Sequence, residues 1–261
     1  MKLPIYQIDA FATECFKGNP AAVCPLEKWL TDEAMLAIAA ENNLSETAFF
    51  ITNGKGFHIR WFTPTTEVNL CGHATLAAAY VIFNELNYKN NSIIFESKSG
   101  ILKVRKDELL LVMDFPIQTP ITCEAPEKLE KAFGIKPIAC LKSEDYIFVV
   151  EDEADVINVK PDLNLLCQID LRGVSLTAAG SEYDFVSRFF APKYGINEDP
   201  VTGSAHTQLV PYWAKQLNKT QLNAKQVSRR GGELYCELTN NRVNIAGYAT
   251  KYLQGEIIIK E

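Results

Sequence analysis

Three residues of this chain stand where proton chemistry is possible: Glu46, His73 and Asp199. Glu46 lies in Asn43-Leu44-Ser45-Glu46-Thr47-Ala48-Phe49-Phe50, an acid at the mouth of an otherwise apolar strand. Desolvation there favours the neutral carboxyl, which suits a general acid–base group; the plainer alternative is a solvated turn residue. His73 follows Gly72 at the expected start of a helix, where the positive end of the dipole predicts a lowered pKa and a neutral imidazole. Cys71, just before that glycine, could be a thiolate at a helix N-terminus or an ordinary buried thiol. Asp199, before Pro200, reads equally well as a turn former, and His206, nearly a turn into its helix, reads as structural.

A second kind of chemistry is anion binding. The first N–H groups of a helix lack internal partners and together carry about half a positive charge. Gly72 and Gly203 would let a ligand oxygen approach such a backbone, and Ser204 adds a hydroxyl. The alternative is that these glycines only open tight turns. Both belong to a sequence echo. Arg60-Trp61-Phe62-Thr63-Pro64 is followed by Gly72-His73-Ala74-Thr75, and Arg188-Phe189-Phe190-Ala191-Pro192 by Gly203-Ser204-Ala205-His206. Each copy reads as strand, loop and glycine-opened helix, so a duplicated fold with its site between two helix N-termini is expected.

The elements that must position these residues follow the same order twice. Leu3 to Phe11, Thr47 to Ile51 and Phe57 to Phe62 read as strands. Thr31 caps a helix with Asp32 and Glu33 in its first turn, and Asn42-Asn43 stops it. Residues 72–86 form a helix that is apolar on every face, which predicts burial on all sides under a sheet. Ile93 to Asp114 alternates as a meander, with turns expected at Ser99-Gly100 and Lys106-Asp107. The prolines from Pro116 to Pro126 suggest a linker. Beyond it, helices are expected at Glu127–Phe133, Asp162–Ile169 and 203–217, the last kinked at Pro211. Strands are expected at 146–150, 174–178 and 185–190, with a hairpin at 233–246. The expected halves are 1–117 and 118–261, with the final strand, Gly255 to Ile259, free to return to either half.

Bulk properties narrow the function. A chain of 261 residues, 47% hydrophobic and 22% charged, has ample material for one large or two mid-sized cores. A net charge of -6 argues against nucleic acid and anionic membranes as partners. Seven scattered cysteines without a CxxC pair suggest free thiols in a reducing compartment, with no structural zinc. No secretory signal is visible, and the longest apolar run, Ala74 to Phe83, is half of the ~20 residues a membrane helix needs, so a cytoplasmic protein is expected.

Several motifs, in order from about residue 1 to 250, resemble the PhzF (phenazine-biosynthesis) family. They are Gly18-Asn19-Pro20-Ala21-Ala22-Val23, the segment around Ser45-Glu46-Thr47, Arg60-Trp61-Phe62-Thr63-Pro64, Cys71-Gly72-His73-Ala74-Thr75 and Glu198-Asp199-Pro200-Val201-Thr202-Gly203-Ser204-Ala205-His206. Pro211-Tyr212-Trp213-Ala214 and Ser228-Arg229-Arg230-Gly231-Gly232 agree further. The resemblance implies an α+β, diaminopimelate-epimerase-like fold, with two pseudo-symmetric halves, each a sheet rolled around a central helix. It implies Glu46 as the acid–base residue, with His73 and Asp199 in the catalytic set and Ser45, Gly72, Gly203 and Ser204 on the substrate. Distant racemases of this fold use two cysteines. Here Cys71 fills the first position while the second, aligned at Pro200, has no thiol. The resemblance therefore implies a proton-shifting isomerase for a small carboxylate-bearing metabolite, with no cofactor and no metal, and a homodimer. An epimerase pairing Cys71 with Glu46, or a non-catalytic metabolite-binding protein, are the rival expectations.

Overall fold

The computed structural model describes residues 1–259. The chain forms two compact units, one from Met1–Asp114 with the segment from Ala246 onward, the other from Phe115–Ile245.

In the first unit, β1 (Lys2–Ala10) pairs antiparallel with β2 (Asn19–Pro25). Helix α1 (Asp32–Asn42) then crosses to β3 (Glu46–Thr52), parallel to β2. Thr31 caps α1 by accepting from the Ala34 N–H at 3.2 Å, and Asn43, left-handed at φ 50, ends it. β4 (Phe57–Phe62) returns antiparallel to β3, with the short β5 (Glu67–Val68) beside it. After α2 (Gly72–Tyr80), β6 (Ser92–Ser97) lies parallel to β4. β7 (Gly100–Asp107) and β8 (Leu110–Pro116) complete the meander. Its second turn falls at Glu108, at φ 54, rather than at Lys106-Asp107, because both of those residues still hold the β7–β8 ladder. Every residue of α2 from His73 to Ala79 is buried, against β1, β2 and β3. The small Ala77, Ala78 and Ala79 let these strands approach. The helical path continues to Glu85 as a wider π-type turn, with the Leu86 N–H donating to Val81 O, five residues back.

The second unit repeats that plan. β9 (Ile121–Thr122) precedes α3 (Glu127–Phe133) and pairs with β10 (Ala139–Lys142). β10 and β11 (Tyr146–Val149) are antiparallel; α4 (Glu153–Asn158) and α5 (Leu163–Leu166) cross to β12 (Val174–Ala179), parallel to β11. β13 (Phe185–Ala191) is antiparallel to β12, with β14 (Ile196–Asp199) beside it. After α6 (Gly203–Leu217), β15 (Gln221–Gln226) lies parallel to β13, and β16 (Gly232–Thr239) returns antiparallel. β17 (Arg242–Gly247) closes the hairpin. The sequence of parallel and antiparallel pairings from β1 to β7 is that from β10 to β16, which is the duplication made visible.

Three elements of this unit, β10, α4 and β15, do not stand out in the sequence: β10 and α4 are only four and six residues long, and β15 has two apolar positions, Leu222 and Ala224. α5 is shorter than the expected helix over 162–169. Asp162 caps it through the Asn164 and Leu165 N–H groups, but Gln168 and Ile169 bond only three residues back, to Leu165 and Leu166. α6 runs through Pro211 without interruption. A proline there removes one N–H and frees the carbonyl four residues earlier. That carbonyl, Thr207 O, accepts from the Gln118 N–H at 3.2 Å, so the defect ties down the start of the unit.

The last strand, β18 (Ala249–Ile258), pairs antiparallel with β1. The echo also repeats in its ion pairs. Arg60 grips Glu67 through two N–H groups at 2.8 Å each and lies over the Phe62 ring. Arg188 grips Glu198 at 2.6 and 3.0 Å and lies over Phe190. No helix among the described residues is long and apolar enough to cross a membrane.

Candidate active site

Within the first unit, the start of β3 and the start of α2 bring Glu46, Cys71 and His73 together. Glu46 opens β3 opposite Ala21 of β2, while Cys71 caps α2 with an extended backbone (φ -144, ψ 111) and no side-chain cap bond. Thr75 closes that end by donating its hydroxyl to Cys71 O at 2.6 Å. The His73 ring then reaches both neighbours. Its Nε2 lies 3.1 Å from Glu46 Oε2, and its Nδ1 lies 3.5 Å from Cys71 Sγ. The Nε2–Oε2 approach is close but off the line of a directed hydrogen bond, so both atoms are buried with that valence still open. Glu46 is 9% exposed and His73 6%.

The Asn19 side-chain amide completes this group at 3.2 Å from His73 Nδ1. It is set there by Gly18, whose φ of +63 turns the chain; a Cβ at that position would lie 2.1 Å from Ala10 O. Gly18-Asn19-Pro20 was legible as a turn, but nothing in its residue types pointed to contact with the imidazole. Ser45, just before Glu46, is half-buried.

The expected lowering of the His73 pKa is reversed. Burial opposes its charge, but the Cys71 sulfur and the Glu46 carboxylate outweigh burial and hold it well above the ordinary imidazole value. Burial, helped by Glu46, pushes the Cys71 thiol up to about 11. The helix dipole is the weaker influence because two direct neighbours stand within contact distance.

Within the second unit, Asp199, Gly203 and Ser204 gather at the start of α6. Asp199 ends β14 and accepts from the Thr202 hydroxyl at 2.6 Å. Gln226 binds this corner on two sides, donating to Asp199 O at 2.7 Å and accepting from the Thr202 N–H at 2.8 Å. Ser204 accepts from Arg172 Nη2 at 3.2 Å. Arg172 is itself held by Asp145, at 2.8 Å from Nε to Oδ1, and Asp145 is also bound by Gln208 at 2.7 Å. By place at the helix cap, the counterpart of Cys71 is Thr202, not Pro200. A thiol is absent at either position. Arg172, Asp145, Gln208 and Gln226 went unread in the sequence, since each is recruited from a distant segment and none belongs to a local motif.

His206 is fully buried, with Nδ1 2.9 Å from Thr202 O. A carbonyl only accepts, so Nδ1 carries the proton and the ring is neutral; burial pushes its pKa down to about 4. It buttresses the cap, which agrees with a structural role.

The family model for phenazine biosynthesis-like proteins matches residues 8–255. The chain belongs to the PhzF family. A crystal structure of a PhzF family protein from Enterococcus faecalis superposes with a TM-score of 0.97 at 50% identity, covering 99% of this chain and 100% of that one. Two Pseudomonas aeruginosa proteins, each named an uncharacterized isomerase, are 49% and 50% identical, in both cases across 98% of this chain and 99% of the relative. A hydroxyproline epimerase from Agrobacterium vitis shares 8% identity with a TM-score of 0.65 over 98% of this chain and 92% of its own, a likeness of fold alone. The PhzF chain thus has the epimerase-like α+β fold, and its Ser45-Glu46-Thr47, Cys71-Gly72-His73 and Thr202-Gly203-Ser204 segments sit at the starts of β3, α2 and α6.

Proposed function

We propose that this protein is a cofactor-independent isomerase that moves a proton on a small carboxylate-bearing metabolite. The observation that carries the reading is the buried pair of Glu46 and His73, 3.1 Å apart, each with an open valence on the facing atom. A carboxylate in that setting removes a proton from an activated carbon and returns it to another carbon on the same face. His73, charged beside Glu46, donates to a substrate oxygen or nitrogen as electron density shifts onto it. Asp199, oriented by Thr202, serves a polar substrate group, and the N–H groups at Gly203 with the Ser204 hydroxyl take the carboxylate. Ser45 and Gly72 are assigned to the substrate on the strength of the family motifs. The isomerase names of relatives about half identical over their full length support the class of reaction.

The chain would act in the cytoplasm as a homodimer. The test screens cyclic and acyclic amino and hydroxy acids for thermal stabilisation, then follows solvent deuterium entering each hit. Glu46→Gln should abolish exchange while stabilisation by the same acid persists; full exchange in that variant would remove Glu46 from the role.

A second reading has a specific basis in Cys71, whose sulfur touches the His73 ring. An epimerase would use Cys71 on one face of a carbon and Glu46 on the other. Its requirement for a readily ionised thiol fits poorly with a thiol pushed up to about 11. Cys71→Ser separates the two: an epimerase loses turnover, whereas the proton-shifting isomerase keeps most of it. A stabilising acid that never exchanges a C–H proton would instead indicate a binding protein.

A further inference from the structure

Glu46, Cys71 and His73 each offer one donor atom, and these atoms lie within 4.8 Å of one another on three buried side chains. Thiolate, imidazole and carboxylate together are a donor set for zinc(II), whereas magnesium and calcium prefer oxygen throughout. Zinc bond lengths of about 2.0–2.3 Å in a tetrahedron place neighbouring donors roughly 3.3–3.6 Å apart. The Sγ–Nδ1 separation is 3.5 Å and the Nε2–Oε2 separation 3.1 Å. These short spans meet opposite nitrogens of one ring, so a single ion must choose one and draw the remaining donor inward by about 1 Å.

Two further observations favour a ligand here. Glu46 Oε2 and His73 Nε2 are buried without a directed hydrogen bond, a condition uncommon enough in folded proteins to call for an occupant. The charge also balances. One zinc(II), one thiolate and one carboxylate sum to zero, which suits a site shielded from water.

We propose that Glu46, Cys71 and His73 form a zinc(II) site that switches the protein off. Binding releases two protons to solvent, the Cys71 thiol proton as the Zn–S bond forms and the extra His73 proton as the imidazole becomes neutral and forms the Zn–N bond, with no change of oxidation state. Three protein donors leave one coordination position for water. The ion occupies the carboxylate that must otherwise be free to accept a proton. This inhibitory consequence rests on the isomerase reading; the binding does not.

The experiment adds cobalt(II), a spectroscopic stand-in for zinc(II), to metal-free full-length protein. A near-ultraviolet thiolate-to-cobalt charge-transfer band should appear at one equivalent and be bleached by one equivalent of zinc(II). Cys71→Ser should lose the band, and Cys24→Ser, at a buried thiol outside the triad, should keep it. His73→Gln, which retains the thiol, should weaken zinc(II) at least 100-fold in competition with a chelating dye. Circular dichroism of each variant distinguishes lost ligation from lost folding. No band in the wild-type protein, or a band that survives in Cys71→Ser, overturns the site. With an exchangeable acid in hand, one equivalent of zinc(II) should stop deuterium exchange and a chelator should restore it. Full exchange by the zinc-loaded protein overturns the switch. If Glu46→Gln proves fully active, the isomerase reading fails while the band and its dependence on Cys71 still decide the metal site.

Discussion

At the start of α2 the cap is Cys71, the next polar side chain is His73, and Glu46 lies against it. At the start of α6 the cap is Thr202, the next is Ser204, and Arg172 lies against it. The same strand–loop–helix plan therefore presents two chemistries. The α2 end collects ionisable groups, with an open valence between Glu46 and His73. The α6 end locks its groups into fixed hydrogen bonds, through Gln226, Asp145 and the Thr202 hydroxyl. A duplicated backbone supplied two equivalent helix starts, and divergence lined one with ionisable groups and locked the other with hydrogen bonds.

The largest effect should separate these two ends. Glu46→Gln should slow solvent exchange into substrate by about 10³-fold, within the usual range for removing a general acid–base group. Asp199→Asn keeps an acceptor for the Thr202 hydroxyl and should lose only about 10-fold. Exchange rates of both variants on one acid make the comparison; equal losses would place proton transfer at both ends.

Next comes the rigidity of the α6 end. Arg172→Ala leaves Asp145, which is 0% exposed, without its cationic partner. Breaking such a pair should cost about 3 kcal/mol in urea unfolding. A variant within 0.5 kcal/mol of wild type, on the order of a neutral surface change, would show that Gln208 alone satisfies that carboxylate.

The two buried histidines should have opposite pH signatures. His206 has a pKa depressed to about 4 against an ordinary 6.5. Its stabilising contribution is therefore complete above 6.5 and is lost as pH falls from 6.5 towards 4, about 3 kcal/mol in all. His73 is raised above 6.5, so its contribution is complete below 6.5 and is lost as pH rises through the folded value. Unfolding free energies from pH 4 to 9 should lose acid sensitivity in His206→Gln and alkaline sensitivity in His73→Gln. Identical profiles for the two variants would contradict the assigned environments.

The sequence carried the duplication well because its signal is local. Arg60 to Pro64 and Arg188 to Pro192 run across the ends of β4 and β13 at equivalent places, and the two glycine-opened helices begin at Gly72 and Gly203. It also carried Glu46 and His73 as candidates, through the motif resemblance more than through residue type. It missed what arises from register between distant segments. β15 has only Leu222 and Ala224 as apolar markers, yet it brings Gln226 to Thr202. Asn19 reaches His73 across 54 residues because Gly18 turns there. The direction of the His73 shift failed for the same reason: the dipole is visible in the sequence, but the contacts with Glu46 and Cys71 exist only after folding.

The smallest expected difference lies in the paired arginines, and it tests whether the two units are equally braced. Arg60 holds Glu67 and reaches the largely exposed Asp32 at 2.9 Å. Arg188 holds Glu198 and also donates to Val156 O at 3.2 Å and Val159 O at 2.8 Å, fastening α4 to β13. Both substitutions to alanine forfeit a bidentate ion pair and a cation–ring contact, and Arg60→Ala also loses a second such contact, over Trp29. Only Arg188→Ala additionally strips donors from two part-buried carbonyls, each a loss of about 1 kcal/mol at the low end for an unsatisfied group. Arg188→Ala should therefore destabilise the protein by about 1–2 kcal/mol more than Arg60→Ala in paired urea titrations. Equal shifts would mean that water replaces Arg188 at the end of α4, and that the brace adds nothing beyond the duplicated ion pair.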